Sequence, residues 1–371
     1  MELPESGKLN IACLTSVFSN ITNSYKYYWF LSILDSIKEK NSSTIKQTDL
    51  ALRMVANVWY PLDYFKLSFG KSDGFKKIVT YVSDKMLVDH SINSPTVFNQ
   101  INSSLSQEEL KVVYAYVEER TRYVPYRFVR PFLSDFITVA EDHQIKGQVI
   151  EVSNCLYSTC PEQVMYRFID DSIQINDVWF EYLQIHQGIL RGFIYWHLLK
   201  FLQKNNPTVV GLPDKLFKRS NRDFKLVEPF WKTYLEAHPD LTCIYSGQLI
   251  TKQNISMDHF LPWSYVVHDQ VWNIIPIPKS VNSAKNNTLP SKELYFDNYA
   301  RLQFDAFQFH AERGNNKSLE DYSALFGQSV SVIQDKPFQW FKESLERMFS
   351  IQLQTARNLG FSYPFEFKRT Q

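Results

Sequence analysis

One short stretch constrains this chain more than any other: Met257-Asp258-His259-Phe260-Leu261-Pro262, then Trp272-Asn273, then Asn282-Ser283-Ala284-Lys285. It sets a carboxylate beside an imidazole and follows them with two amides and an amine. Ile255-Ser256-Met257 reads as an extended run leading into Asp258 and His259. Pro262 closes that run, because proline cannot donate to a strand ladder. Residues 280–287 lack internal Pro and Gly and read as a short helix, with Pro290 beyond its end. Asn282 and Lys285 then share one face of that helix. The pattern asks for a strand, a connecting loop and a helix folded over one polar site.

The residue types suit one kind of chemistry. A phosphodiester is anionic and resists attack, so its hydrolysis needs a cation to neutralise developing charge and a base to deprotonate water. Asp258 is a hard oxygen ligand suited to Mg²⁺ or Mn²⁺. His259 can take the water's proton near neutrality, an imidazole having an unperturbed pKa of about 6.5. Asn282 offers a neutral amide oxygen as a second ligand and leaves coordination positions for water and substrate. An Asp-His pair by itself is ordinary, and a lone histidine is usually a surface or satisfied core residue.

The ordered set of Asp258, His259, Pro262, Asn273, Asn282 and Lys285 is far more specific, and it resembles the HNH nuclease family from Cys243 to Pro290. The resemblance implies a ββα-metal module that hydrolyses DNA by a one-metal mechanism. His259 is then the base, and Asp258 and Asn282 hold Mg²⁺ or Mn²⁺. Asn273 belongs to the catalytic set as a brace for the connecting loop, and Lys285 meets a phosphate oxygen. Many relatives carry two Cys-x-x-Cys knuckles around a zinc ion. Here Cys243 alone survives of the four positions, the second pair having become Pro278-Lys279-Ser280-Val281. One cysteine cannot make a four-cysteine site, so no structural zinc is expected. Apolar packing by Tyr245, Ile277 and Val281 is expected in its place.

A net charge of +1 excludes a surface that is basic all over, so any DNA-binding face must be a local concentration of charge. The best candidate is the segment 215–225, with Lys215, Lys218, Arg219 and Arg222 as phosphate contacts; an ordinary solvated loop or helix face is the alternative. Lys279 and Lys285 add charge at the site itself. A second basic run, from Arg120 to Arg130, interleaves arginines with Tyr123, Tyr126 and Phe128. Such a run can stack bases while cations track a backbone, or its rings can anchor a core. His268-Asp269, between the two motif halves, reads as a loop or helix-start position, with a second metal pair as the alternative.

The rest of the chain reads as mainly α. Helices are expected over residues 24–40, 44–58, 107–122, 178–204 (one or two), 293–311 and 338–358, and a short strand within 146–157 from Val149, Ile150 and Val152. Four regions follow. Residues 1–145 form a helical N-terminal region suited to target or partner recognition, and 146–235 a helical middle region. Residues 236–292 form the nuclease module, and 293–371 form C-terminal helices that pack on it. A module of about fifty residues cannot bury a large core alone, so its neighbours must supply one.

Four cysteines without a dense framework suit a reducing cytosol. The start of the chain lacks signal-peptide features, and no apolar stretch is long enough to span a bilayer. A cytoplasmic protein with no membrane contact is expected. The expected function is a DNA endonuclease in prokaryotic restriction or anti-phage defence, a setting taken from family analogy, with a homodimer or a partner defence subunit. An RNA-cleaving effector, and a nuclease-fold binding subunit active only with a partner or activator, are the alternatives.

Overall fold

The computed structural model describes residues 2–88, 93–138, 142–217 and 222–368. The chain is mainly helical, with two small sheets among the described residues. It divides into two compact units, Met1–Pro207 with Lys215–Lys218, and Thr208–Asp214 with Arg219–Gln371.

The first unit holds helices α1 (Ile11–Ser16), α2 (Tyr25–Lys40), α3 (Gln47–Trp59), α4 (Phe75–Lys85), α5 (Ser94–Ser104), α6 (Gln107–Thr121), α7 (Val124–Val129), α8 (Asp142–Thr159), α9 (Asp177–Ile185) and α10 (Gln187–Asn205). Its sheet has strands β1 (Thr44–Lys46), β2 (Tyr166–Ile169) and β3 (Ser172–Ile175), in the order β1-β3-β2 and all antiparallel. The central helix is α2. Tyr27, Tyr28, Trp29, Phe30, Leu31, Ile33 and Leu34 are all buried, so it is apolar on every side, as a helix enclosed by others must be. A capping box at Ser106 opens α6: the Ser106 hydroxyl accepts from Glu109 N, and the Glu109 carboxylate accepts from Ser106 N.

Two local expectations fail here. Residues 44–46 do not begin a helix; they form β1, with Ile45 buried opposite Ile173. Pairing with the β2–β3 hairpin overrides the weak helix propensity of Thr and Ile. Residues 146–157 do not form a strand; they lie within α8. The β-branched cluster hides a helical stripe, since Ile145, Val149, Ser153 and Leu156 are the buried positions, spaced as on one helix face. Ser153 and Asn154 then bond the backbone of Tyr166 and Phe168, tying α8 to β2.

The second unit holds α11 (Val227–Ala237), β4 (Ile255–His259), α12 (Trp263–Val266), β5 (Ile274–Pro278), α13 (Lys279–Lys285), α14 (Lys292–Glu312), α15 (Asn316–Phe326), α16 (Val330–Gln334) and α17 (Phe338–Asn358). Strands β4 and β5 are antiparallel, with Asp258 opposite Ile275 and His259 opposite Ile274. Helix α13 follows directly, giving the expected strand, loop, strand and helix. One buried cluster runs from the module into the helices around it. It includes Cys243, Tyr245, Ile277 and Val281 together with Trp231 of α11, Tyr299 of α14 and Phe349 of α17. Each such buried side chain contributes roughly 1.5–3 kcal/mol of transfer free energy. Phe260, just past the Asp-His pair, stacks on Tyr299 with ring centroids 3.8 Å apart. Gln303 of α14 donates to Ile274 O at 3.0 Å. Helix α14 therefore clamps both ends of the loop that carries the motif.

Candidate active site

Asp258 and His259 end β4, and Asn282 sits in α13. All three line one cavity of about 270 Å³, together with Arg222, Trp263 and Asn286. The strand delivers the two titratable groups, and the helix laid against it brings the amide across. Around them the site is held by buried polar contacts.

Asn273 is fully buried and acts on the loop. Its side-chain oxygen accepts from Leu261 N and its amide nitrogen donates to Leu261 O, both at 2.9 Å, while its own carbonyl accepts from Phe260 N at 2.7 Å. A primary amide carries its donor and its acceptor on separate atoms, so it can satisfy both backbone groups of Leu261 at once. Asn273 is absent from the residues that line the cavity.

His259 is 3 % exposed. Its Nε2–H donates to Asp269 Oδ1 at 2.9 Å. That bond fixes the tautomer and leaves Nδ1 with the free lone pair. Asp269 is anchored in turn, its Oδ2 accepting from Asp223 N at 2.7 Å. Burial pushes the His259 pKa down, and the Asp269 carboxylate opposes that shift. Burial alone would raise Asp269, but its bonds from His259 and Asp223 and the Arg222 charge hold it below the ordinary range. A neutral imidazole beside an ionised carboxylate is the state a general base needs.

Asp258 is buried and paired. Lys285 Nζ donates to Asp258 Oδ1 at 3.1 Å and to His259 O at 2.7 Å. Burial raises the Asp258 pKa and lowers that of Lys285, and their contact opposes both shifts. Tyr245 Oη makes a long contact of 3.5 Å to Asp258 Oδ2.

Asn282 Nδ2 donates to Ser256 Oγ at 2.7 Å, which commits the amide nitrogen and leaves the carbonyl oxygen as the free acceptor end. One carboxylate and one oriented amide oxygen on a common cavity fit a hard divalent cation that keeps several water or substrate positions. No group of three or more His, Cys, Asp or Glu able to hold a metal occurs among the described residues.

The basic residues separate. Arg222 is exposed at the rim of the cavity, with its guanidinium 5.5 Å from the Trp263 ring centroid. Lys279 is exposed in the first turn of α13, its Nζ 3.4 Å from Gln253 O, and is not among the residues that line the cavity. Lys285 is not a phosphate contact, because it is fully buried behind Asp258 and its amine is spent on that carboxylate and on His259 O. Lys215 is no surface contact either: it is fully buried, and burial pushes its pKa down to about 7. Lys218 and Arg219 lie outside the described residues.

Asp269 is the residue whose contact with His259 sequence reasoning passed over, having been weighed only as a loop position or a metal ligand. Its partner lies ten residues away across the loop, a distance with no periodic signature. Ser256, and the contact of Tyr245 with Asp258, likewise became legible only once β4, α13 and the turn after Cys243 were placed.

Among known proteins, the family model described as HNH endonuclease matches residues 243–291. No curated protein and no solved structure matches the chain. No helix among the described residues is long and apolar enough to cross a membrane.

Proposed function

We propose, from the premise that residues 243–291 are an HNH endonuclease module, that this chain is an endonuclease hydrolysing DNA phosphodiester bonds. The observation that carries the reading is the convergence of Asp258, His259 and Asn282 on one cavity, with the free nitrogen of His259 fixed by Asp269. HNH nucleases use divalent metal ions, and Asp258 with Asn282 would hold Mg²⁺ or Mn²⁺ here. Such an ion, when bound, supplies charge neutralisation at the phosphate.

The protein's own residues do the rest. His259 Nδ1 takes a proton from the attacking water, and the Asp269 carboxylate steadies the imidazolium that forms. Arg222 at the rim offers a guanidinium to a phosphate oxygen. Lys285 keeps Asp258 in place and does not touch substrate. In-line attack by the water leaves a 5′ phosphate and a 3′ hydroxyl. DNA as the substrate, and a role in prokaryotic restriction or anti-phage defence, rest on family analogy.

The test is end-group analysis of cleaved plasmid DNA, with structured RNA in parallel, with and without a chelator. Cleavage of DNA that needs Mg²⁺ or Mn²⁺ and yields 5′ phosphates supports the proposal. Products with 3′ phosphates, undiminished cleavage in chelator, or cleavage of RNA alone would overturn it.

A further inference from the structure

The cavity at Asp258 continues into a larger groove within the second unit, and the chemistry at the phosphate does not fill it. The groove has a volume of about 800 Å³ and shares Arg222, Met257 and Asn282 with the smaller cavity. Helix α11 forms one wall. Glu228, Lys232, Leu235 and Glu236 line the groove at helical spacing, while Phe230, Trp231 and Tyr234 are buried in the core. The other wall is the start of β4, where Ile255, Ser256 and Met257 are half-buried. A strand rises about 3.4 Å per residue, so Ile255 sits roughly 10 Å back from Asp258. Phe224, ahead of α11, joins the two spaces: it lines the groove, and its ring centroid lies 5.8 Å from that of His259.

The groove differs in character from the site it adjoins. Phe224, Leu235, Ile250, Ile255 and Met257 give it apolar walls. The charges along it are of both signs and partly answer one another, with Lys252 Nζ 3.6 Å from Glu236 Oε1. Glu228 adds a second carboxylate. Carboxylates repel phosphate oxygens, so this is a poor track for a nucleic-acid backbone. It is a good receptacle for a planar heterocycle. A nucleobase has apolar faces that stack on aromatic and aliphatic side chains, and edges that meet polar groups. The volume lies within the range of small-molecule sites. A base held in a duplex stack cannot enter such a concavity. It enters only when it is unpaired or turned out of the stack, and turning it out costs least where pairing is already lost.

We infer that this groove receives one unpaired nucleobase of the substrate strand, from a nucleotide beside the phosphate that is cut. The inference rests on the nuclease reading and adds a substrate class to it: DNA with a mismatched, extruded or single-stranded nucleotide at the cleavage point. Phe224 and Leu235 take the faces of the base. Arg222, at the mouth common to both spaces, meets the phosphate between them.

The test uses the full chain and three fluorescein-labelled duplexes of one sequence. One is fully paired, one carries a single central mismatch, and one has abasic sites on both strands at that position. Binding is read by anisotropy in excess chelator, so that no cleavage intervenes. The mismatched duplex should bind on the order of tenfold more tightly than either of the others, in line with the worth of stacking one base. Leu235→Trp fills the groove, and Leu235→Asp sets a carboxylate in its apolar wall; each should abolish the preference. Equal affinity of the wild type for the mismatched and abasic duplexes overturns the inference, because a flexible duplex and not a base would then be recognised. A preference kept by both variants overturns the assignment to this groove. The wild-type comparison stands even if a variant fails to fold. Cleavage with Mg²⁺ is measured separately on the same duplexes. Equal cleavage of all three, with no binding preference, sinks the inference and leaves the nuclease reading intact. A preference in chelator with cleavage of none would instead sink the nuclease reading and keep the groove as a base site.

Discussion

His259 Nε2–H and Asp269 Oδ1 meet at 2.9 Å across ten residues of chain, and this contact decides which imidazole nitrogen keeps its free lone pair. The carboxylate opposes the lowering of the His259 pKa by burial. Changing Asp269→Asn removes that charge and frees the ring. The rate should fall at least tenfold, and by no more than the roughly 10²–10⁴ that general-base catalysis supplies. Because the charge raises the histidine's pKa, its loss must lower it, so the acid limb of the rate–pH profile should move to lower pH. An acid limb that moved up, with the rate unchanged, would show that Asp269 does not orient the base.

Lys285 and Asp258 form a buried ion pair, and such pairs are most costly when broken from one side. Lys285→Met should leave Asp258 without its counter-charge and destabilise the second unit by about 3–5 kcal/mol. Asp258→Asn with Lys285→Met should be less destabilised than the sum of the two single changes, since the pair is in direct contact. Thermal melts of all four proteins check this. Strict additivity would mean that the two charges do not interact.

Asn273 satisfies both backbone groups of Leu261 in a fully buried position. Asn273→Ala leaves two buried polar groups without partners, at about 1–3 kcal/mol each. Hydrogen exchange at the Leu261 amide should accelerate markedly, and cleavage should fall through loss of loop order. Unchanged exchange at that amide would contradict the bracing role.

Asn286 caps α13 with φ 46° and ψ −128°, a conformation that burdens any residue with a side chain, and it lines the cavity. Such strain costs of order 1–3 kcal/mol, partly offset by the extra unfolded-state freedom of glycine. Asn286→Gly should therefore raise stability by about 1 kcal/mol. A lower melting temperature would show that the Asn286 side chain contributes more than its backbone loses.

Long periodic elements were legible in the sequence. Residues 338–358 read as a helix from their apolar spacing and are one, and the capping box at Ser106 marked its helix start because both partners lie within one turn. The strand and helix of the motif were legible for the same local reasons. What could not be read were contacts closed by the fold. A β-branched cluster made α8 look like a strand, because the facing residues that select its helical stripe lie on β2. Charge type suggested Lys215 and Lys285 as phosphate contacts, but only three dimensions show that both amines are buried. Asp269 was visible as an acidic residue near the motif, yet its partner emerged only when the loop folded back.

The most direct test of the central claim compares supercoiled-plasmid cleavage by the wild type and by His259→Ala, each with Mg²⁺ and with Mn²⁺. Metal-dependent nicking or linearisation by the wild type, reduced by roughly 10²–10⁴ in the variant, is the predicted result. Equal cleavage by both proteins would contradict it, because the imidazole at the head of the cavity would then not be the base.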